Sequence, residues 1–196
     1  MEFIDRIFRL IGPGGRNSVS AEAWCAVSHA AGVELPDDYK QIVETYAPVC
    51  LSSHLTIRHP DTEFFNLAAW LSSSLADLAV LDWIANDGPE YHGEVPTFGG
   101  PYGLIPVAST DRRETVFLRQ RAAETGDWVV VSLAADGGVF HEFEQSFSEW
   151  LFRYLSGEEM VGRNSAIRHR DRLLVENLPK FPGDIVTSRR GPAAED

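Results

Sequence analysis

The strongest constraint in this chain is a change of hydrophobic period at Gly103. Four short apolar segments follow it in quick succession: Leu104–Val107, Thr115–Arg119, Trp128–Leu133 and Val139–Phe143. Segments of this length and composition read as strands. The links between them are shorter than a crossover connection requires, so the four must pair antiparallel as a meander. Asp136-Gly137-Gly138 supplies a turn signal for the last hairpin. Trp128–Leu133 is apolar on both faces apart from Ser132, the pattern of a central strand covered on both sides.

Upstream the period is helical. Phe3, Ile4, Ile7, Phe8 and Ile11 predict a helix over 2–11, stopped by Gly12-Pro13-Gly14-Gly15. Ser20 is placed to cap a second helix through Trp24, Val27 and Ala31, with Gly32 just past its end. Leu35-Pro36-Asp37-Asp38-Tyr39 opens a third, with Pro36 at the first helical position and two acids at the positive end of the dipole. Its buried face is Tyr39, Ile42, Val43 and Tyr46. Residues 55–58 predict a short strand. Leu67, Trp70, Leu71, Leu75, Leu78 and Leu81 predict a long helix that Asn86-Asp87-Gly88-Pro89 ends, followed by a Gly- and Pro-rich loop over 89–103. After the strands, Ser146 with Glu149 forms a capping box for a helix lined by Phe147, Trp150, Leu151, Tyr154 and Leu155. Leu173, Leu174 and Leu178 predict a short docked helix, and Ser188–Asp196 is expected to be disordered.

Helices, then strands, then a helix make an α+β chain rather than alternating βα units. The expected division is an N-terminal helix and Gly-rich linker over 1–19, a domain over 20–157 with an antiparallel sheet flanked by helices, and a C-terminal extension over 158–196. No internal repeat is present.

Charge narrows the function. The chain has 29 acidic and 17 basic side chains in 196 residues, a net charge of −12. Such a surface repels phosphate backbones and anionic lipid, which argues against direct nucleic-acid or membrane binding. The longest apolar stretch, Asn66–Ala85, carries Ser72, Ser73, Ser74, Asp77 and Asp82 and does not read as a membrane span. Glu2 and Asp5 argue against a signal peptide. A cytoplasmic, reducing location is expected, with Cys25 and Cys50 as unpaired thiols.

The negative charge is not spread evenly. Between Arg58 and Arg112 there is no Lys or Arg, while Asp61, Glu63, Asp77, Asp82, Asp87, Glu90, Glu94 and Asp111 all fall in that interval. Trp83, Tyr91, Phe98 and Tyr102 are interleaved with them. Carboxylates steer a basic protein and aromatic side chains anchor it, so Asp77, Asp82, Trp83, Asp87, Glu90, Tyr91 and Glu94 are the candidate partner-binding residues. The same pattern also serves a solvated helix face with its aromatics in the core. In the tail, Arg163, Arg168, Arg170 and Arg172 read as a charged surface or as a contact with the acidic body.

Catalytic signatures are absent. Gly12–Gly15 lacks the Gly-Lys-Ser/Thr of a phosphate-binding loop, Phe98–Gly103 shows no GxGxxG, and there is no GxSxG elbow. His29, His54, His59, His92, His141 and His169 form no HExxH and no tight cluster, so neither a metal nor another cofactor is expected. The one catalytic alternative is a site built from Cys50, His54 and His59, which requires the three to converge in a pocket.

Several segments, in order, resemble the SUKH superfamily. Leu35-Pro36-Asp37-Asp38-Tyr39 resembles its leucine-proline-x-acid-tyrosine opening, and Gly103-Leu104-Ile105-Pro106-Val107-Ala108 its glycine-led strand. Trp128–Val131, Gly138–Phe143 and Phe147–Leu155 are similar to its closing hairpin and aromatic-rich helix. The likeness covers roughly residues 20–157, with the helix over 64–86 and the tail after 157 as elaborations. It implies an α+β domain with a curved sheet and a non-enzymatic role. Many bacterial members are immunity proteins that neutralise a cognate toxin, often a nuclease; others are intracellular scaffolds or regulators. Either role implies a protein partner, and the charge pattern implies a basic one.

Overall fold

The computed structural model describes residues 2–15, 17–81, 91–121, 126–134, 139–162 and 172–192. Helix α1 (Glu2–Ile11) buries Ile7 and Ile11 and ends at the Gly12 turn. Helix α2 (Ala21–Ala31) starts where Ser20 Oγ accepts the Ala23 N–H and stops where Gly32 turns left-handed at φ 75°. Gly32 is required twice over, because a Cβ there would also stand 2.9 Å from Gly100 Cα. Helix α3 (Asp37–Tyr46) buries Tyr39, Ile42, Val43 and Tyr46, the face its spacing predicts. Pro36 is the cap residue rather than the first helical one, with ψ 150°.

Strands β1 (Val49–Leu51) and β2 (Leu55–Ile57) form a hairpin. Helix α4 (Leu67–Val80) follows, capped by Asn66 Oδ1 on the Ala69 N–H. It ends before the predicted stop at 86–89, which lies outside the described residues. Leu78 is the last of the stripe to be packed, while Leu81 is 52% exposed and already extended. Next come β3 (Ile105–Thr110), β4 (Thr115–Gln120), β5 (Trp128–Leu133) and β6 (Phe140–Phe143), the antiparallel meander that the short links demand. Helix α5 (Phe147–Leu155) completes the part of the fold that the sequence resolves clearly.

The C-terminal extension corrects two expectations. Leu174–Asn177 is strand β7, not a docked helix: Leu173 and Val175 point into the core on alternate residues, a period of two. Thr187–Arg190, expected to be largely disordered, is strand β8 on the outer edge of β7. The sheet is open and antiparallel, in the order β6-β5-β4-β3-β2-β1-β7-β8. β5 is therefore next to an edge strand rather than central, yet both its faces are covered and Val129, Val130, Val131 and Ser132 are buried.

The inner face carries the main core. Val49, Leu51, Leu55, Ile57, Val116, Leu118, Val130 and Val175 pack there with α1, α3 and α5. Two buried hydroxyls tie this layer together: Tyr39 OH donates to Val107 O at 3.0 Å, and Ser132 Oγ to Val161 O at 2.8 Å. Asp38 serves two helices at once. Its Oδ1 accepts the Tyr39 N–H at 2.9 Å, and its Oδ2 accepts the Ser148 N–H in the first turn of α5 at 2.8 Å. Asp38→Ala leaves both amides without that acceptor and is expected to cost about 1–2 kcal/mol. Urea unfolding checks it; a loss below a few tenths would show that the two caps do not matter.

The outer face is divided. Over β4–β6 a second, smaller core of Leu104, Phe117, Val129 and Val131 is covered by Leu78, Tyr91 and Phe98. Over β7, β1, β2 and β3 the outward row is Glu176, Cys50, Thr56 and Ser109, all half-buried.

Candidate partner-binding surface

Residues 58–104 leave the sheet at the end of β2 and return at the start of β3, its direct neighbour. Ile57 lies opposite Ala108, so departure and return are at the same end of the sheet. The base-free part of the sequence is almost coextensive with this one excursion. Its start is pinned by His59, whose N–H donates to Phe65 O and whose carbonyl accepts the Leu67 N–H. His59 is 2% exposed, and burial pushes its imidazole below the ordinary value. Its end is held by Gly100 N–H on Ala31 O, and by Gly103, where any Cβ would stand 2.2 Å from Gly99 O.

Within the excursion, α4 and the 91–104 loop share the small outer core through Leu78, Tyr91 and Phe98. The candidate residues separate by role. Asp77 and Glu94 are exposed and, among the described residues, have no cation within ion-pair distance. On the same two segments apolar side chains face water: Val80 is 81% exposed, Leu81 52%, Val95 49% and Tyr102 44%. Tyr91 is half-buried. Its ring packs 5.5 Å from Phe140, and its hydroxyl donates to Glu142 on β6. Asp82, Trp83, Asp87 and Glu90 lie outside the described residues.

Glu142 anchors the loop to the sheet. It takes the Tyr91 hydroxyl, His92 Nε2 at 3.0 Å and Arg121 at 3.3 Å, with Arg119 at 3.6 Å. Arg119 also lies 5.3 Å from the Tyr91 ring centroid and donates to Tyr102 O at 3.2 Å. Burial pushes the Glu142 carboxyl up, but hydrogen bonds from Tyr91, His92 and Arg121 outweigh it and hold the group below the ordinary carboxylate value. Burial and the adjacent carboxylate push the Tyr91 phenol up, so it stays a donor at neutral pH. The stabilisation from Glu142 is therefore full above its unfolded pKa, near 4.3, and is lost as pH falls through the lower folded value. Glu142→Gln is expected to flatten the acid limb of the stability–pH curve and to speed amide exchange at 91–94. Unchanged exchange there would show that the loop is held by its core contacts alone.

These partners could not be read from sequence distance. Arg119 on β4 and Arg121 just past its end lie outside the base-free interval, and they neutralise the carboxylate beneath Tyr91 rather than Asp77 or Glu94.

The catalytic alternative is not assembled. His54 and His59 flank opposite ends of β2, about 16 Å apart along an extended strand. Cys50 lies opposite Thr56 in the middle. Burial, with Glu176 and Asp111 nearby, pushes the Cys50 thiol up, the reverse of what an activated nucleophile needs. His54 instead pairs with Asp111 and lies 3.7 Å from Glu114. Among the described residues no three His, Cys, Asp or Glu side chains are grouped to hold a metal ion, and no helix is long and apolar enough to cross a membrane. No family model matches the chain, and no curated protein and no solved structure matches it.

Proposed function

We propose that this chain is a non-enzymatic protein-binding domain: a SUKH-like immunity protein that neutralises a cognate bacterial toxin by covering its basic surface. The observation that carries this reading is the exposed side of the 58–104 excursion. Asp77 and Glu94, without an ion-pair partner among the described residues, share α4 and the 91–104 loop with the water-facing apolar side chains Val80, Leu81, Val95 and Tyr102. Acids with exposed apolar groups supply both halves of recognition. The charge raises the encounter rate, and the apolar groups supply desolvated contact once the partners meet. The order of the SUKH-like segments supports a protein-binding role, and the acidic surface favours a basic toxin as the partner.

The test is kinetic. Asp77→Lys with Glu94→Lys replaces two negative charges by two positive ones at the surface. Association with the basic protein retained by the immobilised chain is expected to slow roughly tenfold at low salt, with the difference closing as salt rises. Equal association rates at low salt would move the interface off this surface.

A further inference from the structure

We infer that the cleft between the α1–α2 connection and the β7–β8 connection binds a small organic oxyanion, a carboxylate or phosphate ester with a short apolar body. The cleft has a volume of about 300 Å³, and Lys180 and Arg189 line it together. Lys180 also meets the start of the 58–104 excursion, where its carbonyl accepts the Glu63 and Phe64 N–H groups at 2.9 Å, but the cleft uses none of the candidate partner-binding residues and does not depend on the reading of that surface.

The cleft brings two cations together in an acidic chain. Several other cations find carboxylates, Arg6 with Glu2, Lys40 with Glu34, Arg121 with Glu144 and Arg153 with Glu149, while Arg58 and Arg190 are held by neutral groups. Among the described residues, neither Lys180 nor Arg189 has a carboxylate within ion-pair distance. Lys180 Nζ donates to Asn17 Oδ1, and that same Asn17 is fixed by its Nδ2 on Ala47 O at 2.7 Å. Arg189 donates to Ile11 O, in the last residue of α1, and at 2.7 Å to Pro13 O just past it. Neutral acceptors orient the two cations; the Asp184 carboxylate, which accepts the Lys180 and Phe181 N–H groups, is near enough to feel the Lys180 charge but does not pair with its ammonium. A guanidinium has five N–H donors and an ammonium three, so both keep donors beyond those bonds.

The remaining walls set the ligand class. Pro13, Pro48, Leu178 and the Tyr46 ring line the cleft. Tyr46 OH already donates to Gly12 O at 3.1 Å, and burial pushes the phenol up to about 12, so it adds no negative charge. Two fixed cations against an apolar wall suit an oxyanion head on an apolar body; a bare inorganic ion would leave that wall unused. The site is not a phosphate-binding loop, since its charge comes from Lys180 in the β7–β8 connection and Arg189 on β8 and not from Gly12–Gly15.

The experiment is an amide chemical-shift titration of the full chain with benzoate, phenyl phosphate and inorganic phosphate, each to about 20 mM. At least one organic probe is expected to shift Gly14, Gly15, Asn17 and Asn177 saturably and to bind more tightly than inorganic phosphate. Which of the two does so tells a carboxylate site from a phosphate-ester site. Lys180→Gln should weaken that binding about tenfold, and raising salt from about 20 to 200 mM should weaken it in the unaltered chain. No saturable shift with either organic probe, tighter binding of inorganic phosphate than of both, shifts centred elsewhere, or affinity indifferent to salt would overturn the inference. The salt arm decides the matter should Lys180→Gln fail to fold.

Discussion

Deleting residues 172–196 is expected to abolish the cooperative unfolding transition of this protein. The deletion removes Leu173 and Val175 from the main core and strips β1 of its β7 partner. It also removes Arg189 from the carbonyls of Ile11 and Pro13 at the end of α1. Each fully buried aliphatic side chain contributes about 1.5–3 kcal/mol, and β1 would become an exposed edge with Val49 and Leu51 beneath it. Against a total of about 5–15 kcal/mol for an ordinary domain, the combined loss leaves little folded population and a strand edge open to aggregation. A shortened chain with the full-length urea midpoint would show that the last two strands are decoration rather than framework.

The single substitution with the largest expected cost is Trp150→Ala. Trp150 is fully buried, stacked on Tyr154 at 5.3 Å and 8°, and 5.7 Å from Phe147. Its indole N–H donates to Met160 O at 2.8 Å, which holds the chain after α5 against the core. Truncation creates a large cavity and leaves that carbonyl without its donor. The expected loss is about 3–5 kcal/mol. Trp150→Phe keeps much of the volume and loses the hydrogen bond, so it should cost clearly less. Equal costs for the two would assign the effect to the Met160 contact rather than to packing.

What the sequence made legible was the structure specified locally. Ser20 and Gly32 bound α2, Ser146 caps α5 on the Glu149 N–H, and β3–β6 carry runs of Val, Ile, Leu and Phe separated by turns. What it hid was specified by partners far along the chain. β1 is three residues long, too short to show a period. Leu173 and Leu174 at the start of β7 mimic a helical face until the pairing with β1 fixes alternate residues inward. β8 is Thr-Ser-Arg-Arg, with no apolar residue to announce a strand; as the outermost strand it needs none, and its arginines blunt the edge. The surface was half legible. The base-free interval located the excursion and its exposed acids Asp77 and Glu94. The use of Tyr91 as an internal pin depends on Glu142 and Arg119, which the sequence places dozens of residues away.

The central claim is that the exposed side of α4 and the 91–104 loop grips a basic protein. Amide hydrogen exchange of the chain, alone and bound to the basic protein it retains, tests this most directly. The account predicts new protection concentrated at residues 76–81 and 91–103. Protection centred instead on the β7–β8 edge or on α1, with those two segments exchanging as in the free chain, would contradict it.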